Sequence, residues 1–161
     1  MPIHWVTSAV VDRPIDEVWA ALVDFFNAPR IARGEGLLAM RQTSAGPLGV
    51  GSTYSERRVI LGLETRLTAR ITEWDPPHVV TSTMEGRPFR SFVSRFTLET
   101  GPEGTKLVSS IDMELHPVLK LLWPIIGPFI RRRRRAAFGN VNAFLAILDA
   151  KASDAEAQTR T

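Results

Sequence analysis

The stretch Val50 to Ile60, VGSTYSERRVI, brings a phenol, a carboxylate and a guanidinium close together in the chain as Tyr54, Glu56 and Arg58. In an extended strand successive side chains alternate between faces. If Val50 and Ile60 point inward, Ser52, Tyr54, Glu56 and Arg58 share that inward face. Such a set on a cavity wall can orient a polar ligand or exchange protons with it. The plainer alternative, favoured on sequence alone, has the strand flipped or has Glu56 and Arg58 pairing near solvent. The opposite set, Thr53, Ser55 and Arg57, is not clearly more solvent-loving.

A second candidate is the run Arg131 to Arg135, which precedes an amphipathic helical pattern. At about 100° per residue, five successive positions spread around a helix and cannot form one basic face. Phe138, Val141, Leu145 and Leu148 define an inward stripe. Four residues before Phe138 lies Arg134, inside the stripe, with Arg133 at its edge and Arg131, Arg132 and Arg135 outside. A buried guanidinium needs a carboxylate, backbone carbonyls or a ligand oxygen, unless it snorkels to a cavity mouth. Tyr54, Glu56, Arg58 and Arg134 are therefore the candidate polar groups of a site, with no catalytic role assigned to any of them.

The basic run does not read as a nucleic-acid site. No aromatic residue is interleaved with it, no nucleic-acid motif is visible, and the formal net charge of the chain is only +3. The segment Leu119 to Arg135 does set Trp, Phe and Ile beside basic residues, the pairing used for peripheral contact with anionic lipid. The favoured alternative is a cavity lid, in which Pro124 and Pro128 bend the chain so that Trp123 and Ile126 cap a pocket.

Other chemistries lack their residues. There is no cysteine, hence no disulfide framework, thiolate metal site or cysteine nucleophile. His4, His78 and His116 have no metal-like spacing, so no metal is expected. No G-x-S-x-G elbow is present, and GPLGVG lacks the spacing and the following helix of a phosphate loop. No cofactor is expected. The start of the chain, MPIHWVTSAVVDRP, lacks the basic and apolar regions of a secretory signal. With the absence of cysteine, this leads us to expect a cytoplasmic protein.

The elements that would position these groups fit one domain. The chain has 161 residues, 44% hydrophobic and 23% charged, as in a globular domain with a real core. IHWVTSAVVD predicts a first strand from Ile3 to Val11. The period then changes. Pro14 suits a first helical position, Asp16 and Glu17 suit the positive end of the helix dipole, and Ile15, Trp19, Leu22 and Phe26 form a core-facing stripe. Asn27 and Pro29 restart a short second helix, which Gly34 and Gly36 end. From Leu37 to Leu115 the breaks SAGPLGVG, LGLE, DPPH, EGRP and TGPEGT divide about six strands of an antiparallel meander. Leu63, Leu67, Ala69 and Ile71 alternate with Glu64, Arg66, Thr68 and Arg70. Phe92, Phe96 and Leu98, and then Leu107, Ile111, Met113 and Leu115, repeat the pattern, so one face is dry. A last long helix is expected from Pro128 to Lys151, within a domain of residues 1–152 followed by a polar tail, 153–161. An apolar sheet face of this size needs a cover, and that helix is the element long enough to supply one.

The sequence resembles the START-like, helix-grip superfamily (the SRPBCC or Bet v 1-like group), and within it the polyketide cyclase/dehydrase-like family. The residues that carry the resemblance are RPIDEVWAALVDFFNAP, TSAGPLGVGSTY, ITEWDPPHVV and GPEGTKLVSSIDMEL, in the family's order over nearly the whole chain. One departure is RIARG after the N-x-P turn, where the family has a tryptophan. The resemblance implies an α+β helix-grip fold, with a curved antiparallel sheet of about seven strands around a long C-terminal helix and two short helices after the first strand. It also implies a deep pocket for an apolar or aromatic, lipid- or polyketide-like molecule. Tyr54, Leu67, Phe96, Met113, Trp123, Ile126, Arg134, Phe138 and Val141 are the expected ligand contacts. The alternatives are a cyclase or dehydrase using the polar cavity residues, and a lipid carrier or membrane-docking module. Nothing in the sequence sets the oligomeric state.

Overall fold

A computed structural model describes residues 2–27, 37–60, 63–87 and 89–117, together with 124, 125, 128, 144, 145, 148 and 149. Strand β1 (Pro2–Val11) is followed by helix α1 (Ile15–Phe25). Six strands come next: β2 (Leu37–Gln42), β3 (Thr53–Ile60), β4 (Leu63–Asp75), β5 (Val79–Glu85), β6 (Phe89–Gly101) and β7 (Gly104–Leu115). The seven strands form one antiparallel sheet in the order β1-β7-β6-β5-β4-β3-β2. The expected meander thus runs from β2 to β7. β1 pairs with the last strand rather than with its successor, from Pro2 opposite Glu114 to Val11 opposite Thr105. The register shifts in β2, β4 and β6, and irregularities of this kind bend strands and deepen the curl of a sheet.

The alternating patterns become two faces. Leu67, Ala69 and Ile71 of β4 are buried, while Glu64, Arg66, Thr68 and Arg70 are exposed. Phe92, Phe96 and Leu98 of β6 and Leu107, Ile111 and Met113 of β7 are buried on the same side. The outer face carries the ordinary surface ion pairs Arg57 with Glu64 and Arg95 with Glu73, and a hydrogen bond between His4 and Asp112.

Helix α1 lies against β6 and β7 and buries Val18, Trp19, Leu22 and Phe25, with Phe26 just past its end. The helix starts one residue later than expected. Pro14 has ψ 148°, outside the helical range, so it is the N-cap. Its carbonyl accepts from the amides of Glu17 and Val18 at 3.1 and 3.2 Å. Ile15, placed in the stripe by sequence, is only half-buried.

The tight β6–β7 turn needs glycine at position 104, where φ is +111° and a Cβ would stand 2.2 Å from the carbonyl oxygen of Val11. That close approach seats the end of β1 against the turn. Thr105 secures it by donating its hydroxyl to the Arg13 carbonyl at 2.8 Å.

Of the expected C-terminal helix, Pro128, Phe144, Leu145, Leu148 and Asp149 are described and helical. Phe144 and Leu148 are buried, and Leu145 is half-buried. The inward stripe therefore takes in Phe144 as well as Leu145, which packs against the core. The two stand four and three residues before Leu148, and either spacing shares its face. The phenyl ring meets Phe25 edge-on, with centroids 5.9 Å apart. Residues 28–36, where the second short helix was expected, lie outside the described residues. No helix among the described residues is long and apolar enough to cross a membrane.

Candidate functional site

β3 places Tyr54, Glu56 and Arg58 on the buried, concave face of the sheet, and Ser52, just before it, is buried too. The premise that Val50 also points inward is corrected, because Val50 is 69% exposed. Gly51, with φ +89°, breaks the alternation before the strand begins. The Gly51 amide donates to the Ile71 carbonyl at 2.8 Å, and the Ile71 amide donates to the Ser52 carbonyl at 2.9 Å. These bonds lock Ser52 beside β4 and leave Val50 in the turn. The alternative of a flipped strand or a pair near solvent is overturned as well. Arg57 lies outside, bonded to Glu64 at 2.8 Å, whereas Glu56 is 1% exposed and Arg58 not at all.

Arg58 binds the Glu56 carboxylate through Nε and Nη2, and its guanidinium carbon stands 5.6 Å from the ring centroid of Phe92. Spacing makes this possible: residues two apart on a strand share a face, and both side chains are long enough to meet. One turn of the alternation earlier, the Tyr54 hydroxyl shares a 2.8 Å hydrogen bond with Ser82 of β5. Its ring packs edge-on against Phe26, with centroids 5.1 Å apart. Burial, and then the neighbouring Glu56 carboxylate, push the Tyr54 hydroxyl well above the usual phenol range. It remains a neutral phenol at any ordinary pH.

Burial also pushes the Glu56 carboxyl above the usual carboxylate range, with Arg58 pulling the other way. A carboxyl whose pKa is higher folded than unfolded contributes stability that is fully present below the unfolded pKa. That contribution is lost as pH rises through the folded value. The wild type is therefore expected to lose stability relative to Glu56→Gln as pH rises from about 4 upwards. Unfolding midpoints of the two proteins across pH check this; a constant difference, or one of opposite slope, contradicts it.

Cross-strand register sets what surrounds these groups. Tyr54 is opposite Ala69, Ala69 opposite Met84, Met84 opposite Phe92 and Phe92 opposite Met113. The neighbouring row runs Ile71, Ser82, Ser94, Ile111. Leu67, Phe96 and Met113, three of the expected ligand contacts, are buried on this same face with Tyr54. Trp123, Ile126, Arg134, Phe138 and Val141 lie outside the described residues, as does the whole run Arg131 to Arg135. Near them, Pro124 and Pro128 are exposed, and Ile125 is 77% exposed.

Ser82 and Ser94 were missed by the sequence reading. The signal was present: Val80-Ser82-Met84 and Phe92-Ser94-Phe96 each place a serine in phase with apolar residues. The histidines are spread apart. His4 Nδ1 lies 2.6 Å from Asp112 on the outer face, and His78 and His116 are exposed. Elsewhere, Asp12, Arg13, Thr100 and Thr105 line a surface depression of about 210 Å³ where α1 begins.

Against known proteins, the family described as polyketide cyclase/dehydrase and lipid transport matches residues 2–145. No curated protein sequence matches the chain. Among solved structures, Ara h 8.0201 is similar at 14% identity and TM-score 0.64, over 95% of this chain and 99% of that one. TTHA0849 from Thermus thermophilus is similar at 16% identity and TM-score 0.65, over 95% of this chain and 99% of that one. The di-domain ARO/CYC StfQ from the steffimycin biosynthetic pathway is similar at 13% identity and TM-score 0.68, with 97% of this chain spanning 52% of that one.

Proposed function

Because the chain belongs to the polyketide cyclase/dehydrase and lipid transport family, a START-like (SRPBCC) family, we propose that it binds an apolar or aromatic small molecule against the concave face of its sheet. The observation that carries this reading is an ion pair and a phenol–hydroxyl pair, fully buried in a wall whose other buried side chains are apolar apart from a few serine and threonine hydroxyls. Charged side chains are almost never buried without a partner, and a buried pair is a poor source of stability compared with apolar residues of the same volume. A ligand with polar groups to orient gives the set a purpose that folding alone does not.

The test is direct. Purified protein, sprayed under native conditions, is expected to carry a co-purified small molecule or to take up added aromatic ligands. A neutral, polarity-sensitive dye is expected to bind and to be displaced by those ligands. Protein that takes up neither dye nor ligand at millimolar concentration contradicts the reading.

The second reading, a cyclase- or dehydrase-type enzyme, is favoured by the neighbourhood of three groups. A protonated phenol, a carboxyl raised above its usual range and a guanidinium are the parts that acid–base chemistry on a carbonyl compound needs. A mass change in a bound ligand that Glu56→Gln abolishes would distinguish the enzyme from the carrier.

A further inference from the structure

We propose that Ser94 is a ligand-binding residue, and that its hydroxyl makes the concave face select a neutral, oxygen-bearing ligand (a phenol, alcohol or ketone) over a carboxylate. This rests on the reading of that face as a binding surface, and it adds a residue and a chemical class to it.

Ser82 of β5 and Ser94 of β6 stand directly opposite each other, both buried on the inner face. The pairs on either side are large: Met84 with Phe92, and Val80 with Phe96. Two serines between such pairs make a low place in the wall, floored by hydroxyls. Ser82 already has a partner in Tyr54 at 2.8 Å. Ser94 Oγ is buried and has no hydrogen-bond partner among the described residues. Buried hydroxyls are as a rule hydrogen-bonded, and one that is not calls for a specific reason. An alanine here would fill nearly the same volume without the cost of desolvating a hydroxyl. A ligand oxygen supplies the reason.

Charge decides which oxygen. The titratable groups that β3 brings to this face are Tyr54, Glu56 and Arg58. Arg58 is bonded to the Glu56 carboxylate, so that pair presents no net positive charge. Tyr54 is a neutral phenol. Among the described residues, the inner faces of β4, β5, β6 and β7 and the buried side of α1 add no charged side chain. A carboxylate placed there would be desolvated beside a cation, Arg58 over Phe92, that is already paired to Glu56. A carbonyl or hydroxyl oxygen would meet the donor it needs in Ser94.

The experiment uses the full chain and three probes of one shape: naphthalene, 2-naphthol and 2-naphthoate, each displacing a neutral dye. In the wild type, 2-naphthol is expected to bind about 5-fold tighter than naphthalene, the effect of one ordinary hydrogen bond, with 2-naphthoate the weakest. In Ser94→Ala the naphthol advantage is expected to vanish, naphthalene affinity to stay the same, and the thermal midpoint to hold or rise. Unchanged naphthol affinity in Ser94→Ala, or a preference for 2-naphthoate, overturns the inference but leaves the binding reading intact. A fall in thermal midpoint with affinities unchanged makes Ser94 structural and also overturns it. If none of the three probes binds the wild type, the binding reading itself has failed, and this inference with it.

Discussion

Arg58→Ala is expected to cost about 3–5 kcal/mol of folding stability, because it strands the Glu56 carboxylate in the core. It also removes the guanidinium packed over Phe92. The double variant Glu56→Leu/Arg58→Met is expected to recover most of that loss, since apolar residues of similar volume replace a buried pair at little or no cost. Denaturant unfolding with unchanged slope measures both. The combination is informative about function. If the pair is kept for a ligand, the double variant folds well and still loses affinity for polar ligands. A single variant that costs under about 1 kcal/mol would mean that Glu56 finds other partners on truncation.

Phe25→Ala carries the other large expected effect, about 3–5 kcal/mol for emptying the site of a buried phenyl ring. Phe25 joins three parts of the molecule. Its ring lies 6.2 Å from Phe26 at the end of α1, 6.3 Å from Phe96 on the sheet and 5.9 Å from Phe144, all edge-on. Because Phe25 and Phe144 share one contact, the losses from Phe25→Ala and Phe144→Ala are expected to be non-additive, by upwards of about 0.5 kcal/mol in a double-mutant cycle. Strict additivity would mean that the rings are packed by other neighbours and not by each other.

What the sequence could and could not reveal follows from the range of the interactions involved. Strand existence and phase are local, and the alternation in β4, β6 and β7 is plain in Leu67-Ala69-Ile71, Phe92-Phe96-Leu98 and Leu107-Ile111-Met113. The shared face of Tyr54, Glu56 and Arg58 is local too. Its sign is not, because period two says which residues lie together and leaves open which side is dry. Here the carboxylate and guanidinium pair with each other, so burial could win over the ordinary preference of both for water. Val50 misled because Gly51 breaks the strand period between it and Ser52. The pairing of β1 with β7 joins the first and last strands in sequence, and no local signal specifies it. Phe144, absent from the expected stripe, meets Phe25, a residue more than a hundred positions away. Ser82 and Ser94 are inconspicuous in the sequence, and their importance rests on cross-strand register and on what each hydroxyl has to bond with.

The central claim is that the concave face of the sheet is a binding surface, and the most direct measurement is amide chemical-shift mapping of isotope-labelled protein titrated with 2-naphthol. Saturable shifts are expected to be largest at Tyr54, Ser82, Ser94 and Phe96, on the inner face. Shifts confined to outer-face positions such as Arg57, Thr68 and Arg95, or no saturable shift anywhere, would contradict the account.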